Sequence, residues 1–274
     1  MLARTNVLGV GVSAVNMNKA QRTIFDWIDR GERHYICVTG VHGVMESQGS
    51  PDLRRIHNEA GMVTPDGMPL AWLLKRAGFR DSDRVCGPEL MPKTFISSQP
   101  RGDRHFLYGS SPQTLERLRE RMLELAPNAR IVGAYSPPFR ALTPEEDAEI
   151  VTTINASGAD IVWVGLSTPK QEHWMASHRD RLSAAVLIGV GAAFDIHAGL
   201  VKRAPAFLRR TGFEWTYRLF LEPRRLWRRY LSSNPRFVAL VALQMAGLYR
   251  PSMQPDVPGQ VVEKKAGLLR LNHN

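Results

Sequence analysis

The chain has 274 residues, 43% hydrophobic and 23% charged, with two cysteines and a net charge of +10. That balance excludes wholesale disorder and allows a sizeable core, while the pair Cys37 and Cys86 excludes a disulfide framework and any Cys/His zinc spacing. The charge is local. Residues 202–229 hold nine Lys or Arg against two Glu, which points to a polyanion such as a nucleic acid, a membrane surface or a phosphorylated substrate.

In chain order, "MLARTNVLGVGVSAV" lacks the apolar run and cleavage site of a leader, and a reduced cytosolic setting fits. Gly9, Gly11 and Ala14 come nearest to a dinucleotide fingerprint, but no convincing strand precedes them. "HYICVTG" (34–40), "RHFLYGS" (104–110), "RIVGAYS" (130–136), "DIVWVGL" (160–166) and "AVLIGVG" (185–191) read as strands buried on both faces. Helical patterns at about 15–30, 43–60, 112–125, 143–156 and 169–183 alternate with them. This predicts an α/β, doubly wound, mostly parallel Rossmann-like sheet over residues 1–201, with chemistry in the crevice at the carboxyl ends of its strands.

Polar residues cluster at those ends. Gly109, Ser110 and Ser111 precede a helix start, where free N–H groups favour a phosphate, although a plain turn has the same pattern. Thr39 and His42 follow the first long strand, and His42 is equally readable as a packed or surface histidine. Asp66 sits between Pro65 and Gly67, where a carboxylate serves as a helix cap or, if partly desolvated, as a general base. Lys170, Gln171 and Glu172 follow another strand. Asp195 is placed to cap a helix or to hold a ribose hydroxyl. The one DxD, Asp81 and Asp83, reads as a solvated turn, so no bound metal is expected.

From residue 202 the strand pattern stops. On a helix, Arg224, Arg225, Arg228 and Arg229 share an arc of about 140°, opposite Leu226, Trp227, Tyr230 and Leu231. This is the composition of a cationic helix lying on an anionic membrane, here a helical appendage over 202–250. Residues 251–274 read as a loose tail, and no apolar run is long enough to span a bilayer. A basic nucleic-acid-binding protein with an α/β core is the rival reading, but Trp227 and the leucines suit lipid better than bases.

Thr39, the Asp66-Gly67 turn, "DRVCGPEL" (83–90), "GLSTPKQEHW" (165–174), "GVGAAFD" (189–195), "GLVKRAP" (199–205) and "GFEWTYRLFLEPRRLWRRY" (212–230) occur in order. Together they resemble the WecG/TagA/CpsF glycosyltransferases, family 26, over roughly residues 8–231. The resemblance implies an inverting, metal-independent transfer from a UDP-sugar to an undecaprenyl-diphosphate-linked saccharide. The enzyme would sit peripherally on the cytoplasmic membrane face, need no cofactor, contact no nucleic acid, and be compatible with a homo-oligomer. Asp66 would be the base, with Thr39 and Gln171 positioning the reactants. Gly109, Ser110, Tyr135, Lys170, Glu172 and Asp195 would hold the UDP-sugar. His42, Arg84, Arg203, Arg218, Arg225 and Arg228 would meet the acceptor and its diphosphate. Where the family commonly carries Asn two residues after the threonine, this chain has Val41. The lost amide points away from N-acetylmannosamine transfer onto N-acetylglucosamine and toward another hexose in exopolysaccharide assembly, with His42 replacing the polar contact.

Overall fold

The computed structural model describes residues 2–221 and 223–253, with the backbone alone at Arg210, Arg218, Arg225, Leu226, Arg228, Arg229 and Tyr230. The chain opens with an antiparallel hairpin of β1 (Arg4–Val7) and β2 (Val10–Ser13). Its two-residue turn puts Leu8 and Gly9 at φ 51° and 86°, the left-handed pair that matches strand twist in a tight hairpin. A strand therefore does precede Gly9. Arg4–Val7 escaped notice because it is four residues long and carries one aliphatic side chain. The glycines serve a hairpin, not a strand-to-helix phosphate turn.

Six parallel strands follow, in the spatial order β4 (Met62–Pro65), β3 (His34–Thr39), β8 (Val186–Gly189), β7 (Ile161–Gly165), β5 (Arg104–Gly109) and β6 (Arg130–Tyr135). The five long strands read from the sequence are all present. The sixth, β4, is a four-residue edge, and Ser13 of the hairpin covers it by accepting from the Val63 N–H at 3.0 Å. Side chains alternate between two cores. Ile161, Trp163, Val186 and Ile188 point into one, and Val162, Val164 and Leu187 into the other.

The first core is roofed by α1 (Met17–Asp29), α5 (Gly87–Ser98), α6 (Pro112–Leu125) and α9 (Ala193–His197). On the other face lie the hairpin, α2 (Val41–Gly49), α3 (Pro51–Glu59), α4 (Met68–Arg76), α7 (Pro144–Ser157) and α8 (Lys170–His178). The single helix expected over 43–60 is broken into α2 and α3. Pro51 disfavours helical backbone at Ser50, whose hydroxyl then caps α3 by accepting from the Leu53 N–H.

After α9, the chain forms α10 (Ala206–Arg210), α11 (Glu214–Leu221) and α12 (Pro223–Met245). Gly212 lies against Met68 and Trp72 of α4, so the segment crosses that helix. The far half of α12 then returns to α2, burying Phe237 and half-burying Leu240 and Val241 in the hairpin-side core. Gln244 accepts from the Leu8 N–H and donates to the Asn6 carbonyl, both at 2.9 Å. Among the described residues, no helix is long and apolar enough to cross a membrane.

The other core carries a buried polar relay. Trp163 donates to His105 Nδ1 at 3.1 Å, His105 Nε2 meets Ser98 Oγ at 2.7 Å, and Ser98 donates to the Phe95 carbonyl. Burial pushes the His105 imidazole down to about 4, with Asp160 opposing. Between pH 6.5 and about 4 the unfolded chain thus binds a proton that the folded chain refuses, so stability should fall as pH falls through that window. The loss is at most about 3 kcal/mol. Denaturation midpoints measured from pH 7.5 to 4.5 test this, and His105→Gln should flatten the acid limb.

Candidate active site

The connections of β5 and β7 leave in opposite directions, β5 toward β6 and β7 toward β8, which makes a crevice at their carboxyl ends. The backbones nearly touch there. Gly109 has φ 122°, and a Cβ on it would lie 2.6 Å from the Gly165 carbonyl oxygen, so only glycine fits. Ser110 follows with φ 56°, and Ser111 caps α6 through the Thr114 N–H. Ser110 donates to Asp195 Oδ1 at 3.4 Å, and Ser136 donates to the Ser110 carbonyl at 2.6 Å. Tyr135 ends β6 stacked on Tyr108. The structure thus gathers Gly109, Ser110 and Asp195 around one crevice beside a helix N-terminus, while the Tyr135 ring packs on Tyr108 toward the hairpin-side core.

Next along the sheet edge, Pro169 precedes α8 and puts Gln171 and Glu172 beneath the crevice, both almost fully buried, while Lys170 is exposed. Glu172 Oε1 accepts from Thr168 Oγ1 at 2.9 Å and from Gln171 Nε2 at 3.1 Å. Among the described residues, Glu172 Oε2 and Gln171 Oε1 are buried without hydrogen-bond partners, an arrangement that is costly unless a ligand or water completes it. Gln171 Oε1 would stand 3.4 Å from a Cβ on Gly191, and its amide packs over Gly189 at the end of β8.

Thr39 ends β3, and its hydroxyl is another buried group without a hydrogen-bond partner among the described residues. The Asp66 N–H donates to the Thr39 carbonyl at 3.0 Å, so the Asp66 turn is hung from that strand end. Gly40 faces the carboxylate, since a Cβ there would lie in van der Waals contact with Asp66 Oδ2, at 3.8 Å. Gly67, not Asp66, is the N-cap of α4. The Val85 N–H donates to the Pro65 carbonyl and Thr64 donates to the Val85 carbonyl. That pairing carries Arg84 and Cys86 into the field of Asp66. Burial opposes the Arg84 charge, but Cys86 and the Asp66, Glu214 and Glu89 carboxylates outweigh it and push its pKa upward. Burial, reinforced by Asp66, pushes the Cys86 thiol up to about 12.

The family profile of the WecG/TagA/CpsF glycosyl transferases matches residues 5–251. The chain belongs to this family. It is 30% identical over 242 residues, 88% of this chain and 90% of the relative, to an N-acetylglucosaminyldiphosphoundecaprenol N-acetyl-beta-D-mannosaminyltransferase of Bacillus spizizenii. The protein is therefore a glycosyltransferase, and its crevice is the place to look for family chemistry.

The residues of this WecG/TagA/CpsF protein that the sequence assigned to the acceptor are less evenly placed. Val41 packs against the hairpin-side core, and His42 Nδ1 lies 3.6 Å from Glu46 Oε1 on the same helix. Arg203 reaches Glu89 at 2.5 Å. The side chains of Arg218, Arg225 and Arg228 lie outside the described residues. A cleft of about 450 Å³ opens here, lined by Met68, Arg84, Glu89, Lys93, Ala206 and Arg209 among others. Among the described residues, no group of three or more His, Cys, Asp or Glu is placed to hold a metal ion.

Sequence reasoning missed Glu89, Arg209 and Glu214, whose ion pairs join the C-terminal segment to the core. It also missed His57. Its Nδ1 faces the Leu53 carbonyl at 2.9 Å, while Nε2 is buried, without a hydrogen-bond partner among the described residues, and 3.6 Å from where a Cβ on Gly43 would sit beside Thr39. Burial pushes the His57 imidazole down, with the Glu172 carboxylate opposing. Nothing in "RRIHNE" distinguishes this histidine from a helix-surface one. The available signal was that position 57 falls with Leu53 and Ile56 on the buried face of α3.

Proposed function

We propose that the protein is an inverting, metal-independent glycosyltransferase that moves a hexose or N-acetylhexosamine-type sugar from a UDP-sugar to an undecaprenyl-diphosphate-linked saccharide. The observation that carries this reading is the Asp66 turn, hung by its backbone on the Thr39 strand end beside Arg84, on the same carboxyl edge of the sheet that carries the glycine-lined crevice of β5 and β7. In this reading Asp66 takes the proton of the acceptor hydroxyl as that oxygen attacks the anomeric carbon from the face opposite UDP. The carbon–oxygen bond to the β-phosphate breaks, and the N–H groups at the start of α6 with nearby guanidiniums stabilise the departing diphosphate. Thr39 and Gln171, with buried oxygens free to bind, hold the sugars in line.

The Bacillus relative's name gives an N-acetylmannosaminyl donor and an N-acetylglucosaminyl-diphosphoundecaprenol acceptor. Val41 half-buries an apolar side chain against the core at the position where the family commonly carries Asn, which favours another hexose for exopolysaccharide or cell-surface polysaccharide assembly. We assign residues 202–250 to acceptor and membrane binding at the cytoplasmic face. The support is local: Phe207, Phe213, Phe220, Trp227 and Leu231 are all exposed there beside the basic residues. Each Lys or Arg near an anionic surface contributes about 1 kcal/mol.

A panel of UDP-sugars offered with undecaprenyl-diphosphate-linked glucose or N-acetylglucosamine, read by UDP release and product mass, tests the reaction. Sedimentation with anionic liposomes, alongside a DNA-retardation control, tests the surface. Retardation of DNA without liposome binding or UDP release would return the basic segment to nucleic acid.

A further inference from the structure

Three guanidiniums converge on one oxygen in this fold. Glu89 Oε1 accepts from Arg84 Nη2 at 2.9 Å, Arg203 Nη2 at 2.5 Å and Arg209 Nη1 at 2.8 Å. Arg84 belongs to the core and turns its other terminal nitrogen to Glu214 of α11 at 2.6 Å. Arg203 and Arg209 come from the segment that crosses α4. Like charges brought this close repel one another, so their shared carboxylate is what keeps them together.

The core half of this contact is rigid. Glu89 lies in the first turn of α5, where the helix dipole favours a carboxylate. That turn is fixed against the sheet, because a Cβ on Gly87 would lie 3.0 Å from the Val190 carbonyl oxygen. His197 Nε2 holds the Pro88 carbonyl at 3.1 Å from the other side. The half supplied by the C-terminal segment has spare capacity, since among the described residues Arg203 Nε and Arg209 Nε are buried without an acceptor. Arg209 lines the 450 Å³ cleft together with Arg84, Glu89 and Lys93.

We infer that Glu89 is a positioning residue that draws Arg203 and Arg209 onto Arg84 and so assembles, beside Asp66, the cationic wall a lipid-linked diphosphate meets. This rests on the glycosyl-transfer reading above and adds to it residues with no assigned part, Glu89 and Arg209. Glu89 does not touch the reacting atoms. Its effect passes through the arginines, so it governs capture of the acceptor and not the chemical step.

The test is Glu89→Gln, which keeps the shape and removes the charge, in the full chain. Amide hydrogen exchange over residues 206–221 should accelerate roughly tenfold while exchange in the central strands is unchanged. KM for the lipid-linked acceptor should rise roughly tenfold with kcat within about twofold and donor affinity intact. Wild-type exchange over 206–221, or a fall in kcat at unchanged KM, overturns the assignment. If Glu89→Gln loosens the core as well, Arg209→Gln, which breaks the contact from the other side, decides instead. Wild-type exchange over 206–221 in that variant overturns it. A wild-type enzyme that transfers to no lipid-linked acceptor sinks the glycosyl-transfer reading but leaves the exchange result, which needs no substrate, standing.

Discussion

Asp66→Asn should lower turnover by about 10³-fold while the protein stays folded and binds UDP as before. The fold supplies the reason for both halves of that result. The turn is held by backbone, through the Asp66 N–H on the Thr39 carbonyl and the Val85 N–H on the Pro65 carbonyl, and neither contact uses the carboxylate. Gly67, not Asp66, begins α4, so no helix cap is lost. An amide has nearly the same shape as the carboxylate but cannot accept a proton from a sugar hydroxyl. Arg84 would lose one of the carboxylates around it and keep its ion pairs to Glu89 and Glu214. Single-turnover assays with saturating donor, together with calorimetric UDP binding, separate the two effects. Lost UDP affinity at normal turnover would move Asp66 from chemistry to architecture.

The sheet was legible because a parallel strand buried on both faces leaves an unbroken apolar run, as "DIVWVGL" and "AVLIGVG" do. The hairpin and β4 were not, because four residues contain too little pattern to stand out from turns. Thr39 and Gly109, which end strands, and Asp195, in the helix after β8, were expected at the carboxyl edge of the sheet from the rule that parallel sheets do chemistry there, and the fold puts them at that edge. Glu89 was not found, because its meaning lies in three arginines 5, 114 and 120 residues away along the chain. His57 was not found because its role depends on which face of α3 is buried and on Thr39 and Gly43 across from it. Local pattern carries strands and caps; long-range charge partnership is written only in the folded chain.

Truncation after residue 201 should cost stability as well as activity. Composition draws the boundary there, since the basic block begins at Lys202. Packing draws it differently, because Phe237 is 5% exposed and belongs to the same core as Val7, Leu8, Tyr35 and Val44. Removing a buried phenylalanine costs about 3–5 kcal/mol. Truncation also strips Gln244 from the hairpin and the Pro251 and Met253 carbonyls from the Asn6 and Asn58 amides, at about 1 kcal/mol for each lost hydrogen bond. The sum approaches the 5–15 kcal/mol that holds a typical domain together. Phe237→Ala in the full chain isolates the packing contribution. It should lower the urea midpoint by an amount equivalent to about 3 kcal/mol, with the Glu89 ion pairs left in place. If residues 1–201 unfold at the wild-type midpoint, the returning half of α12 is an ornament on a self-sufficient core. If they do not, the segment is a strap anchored at both ends, by Glu89 near α10 and by Phe237 on the hairpin side.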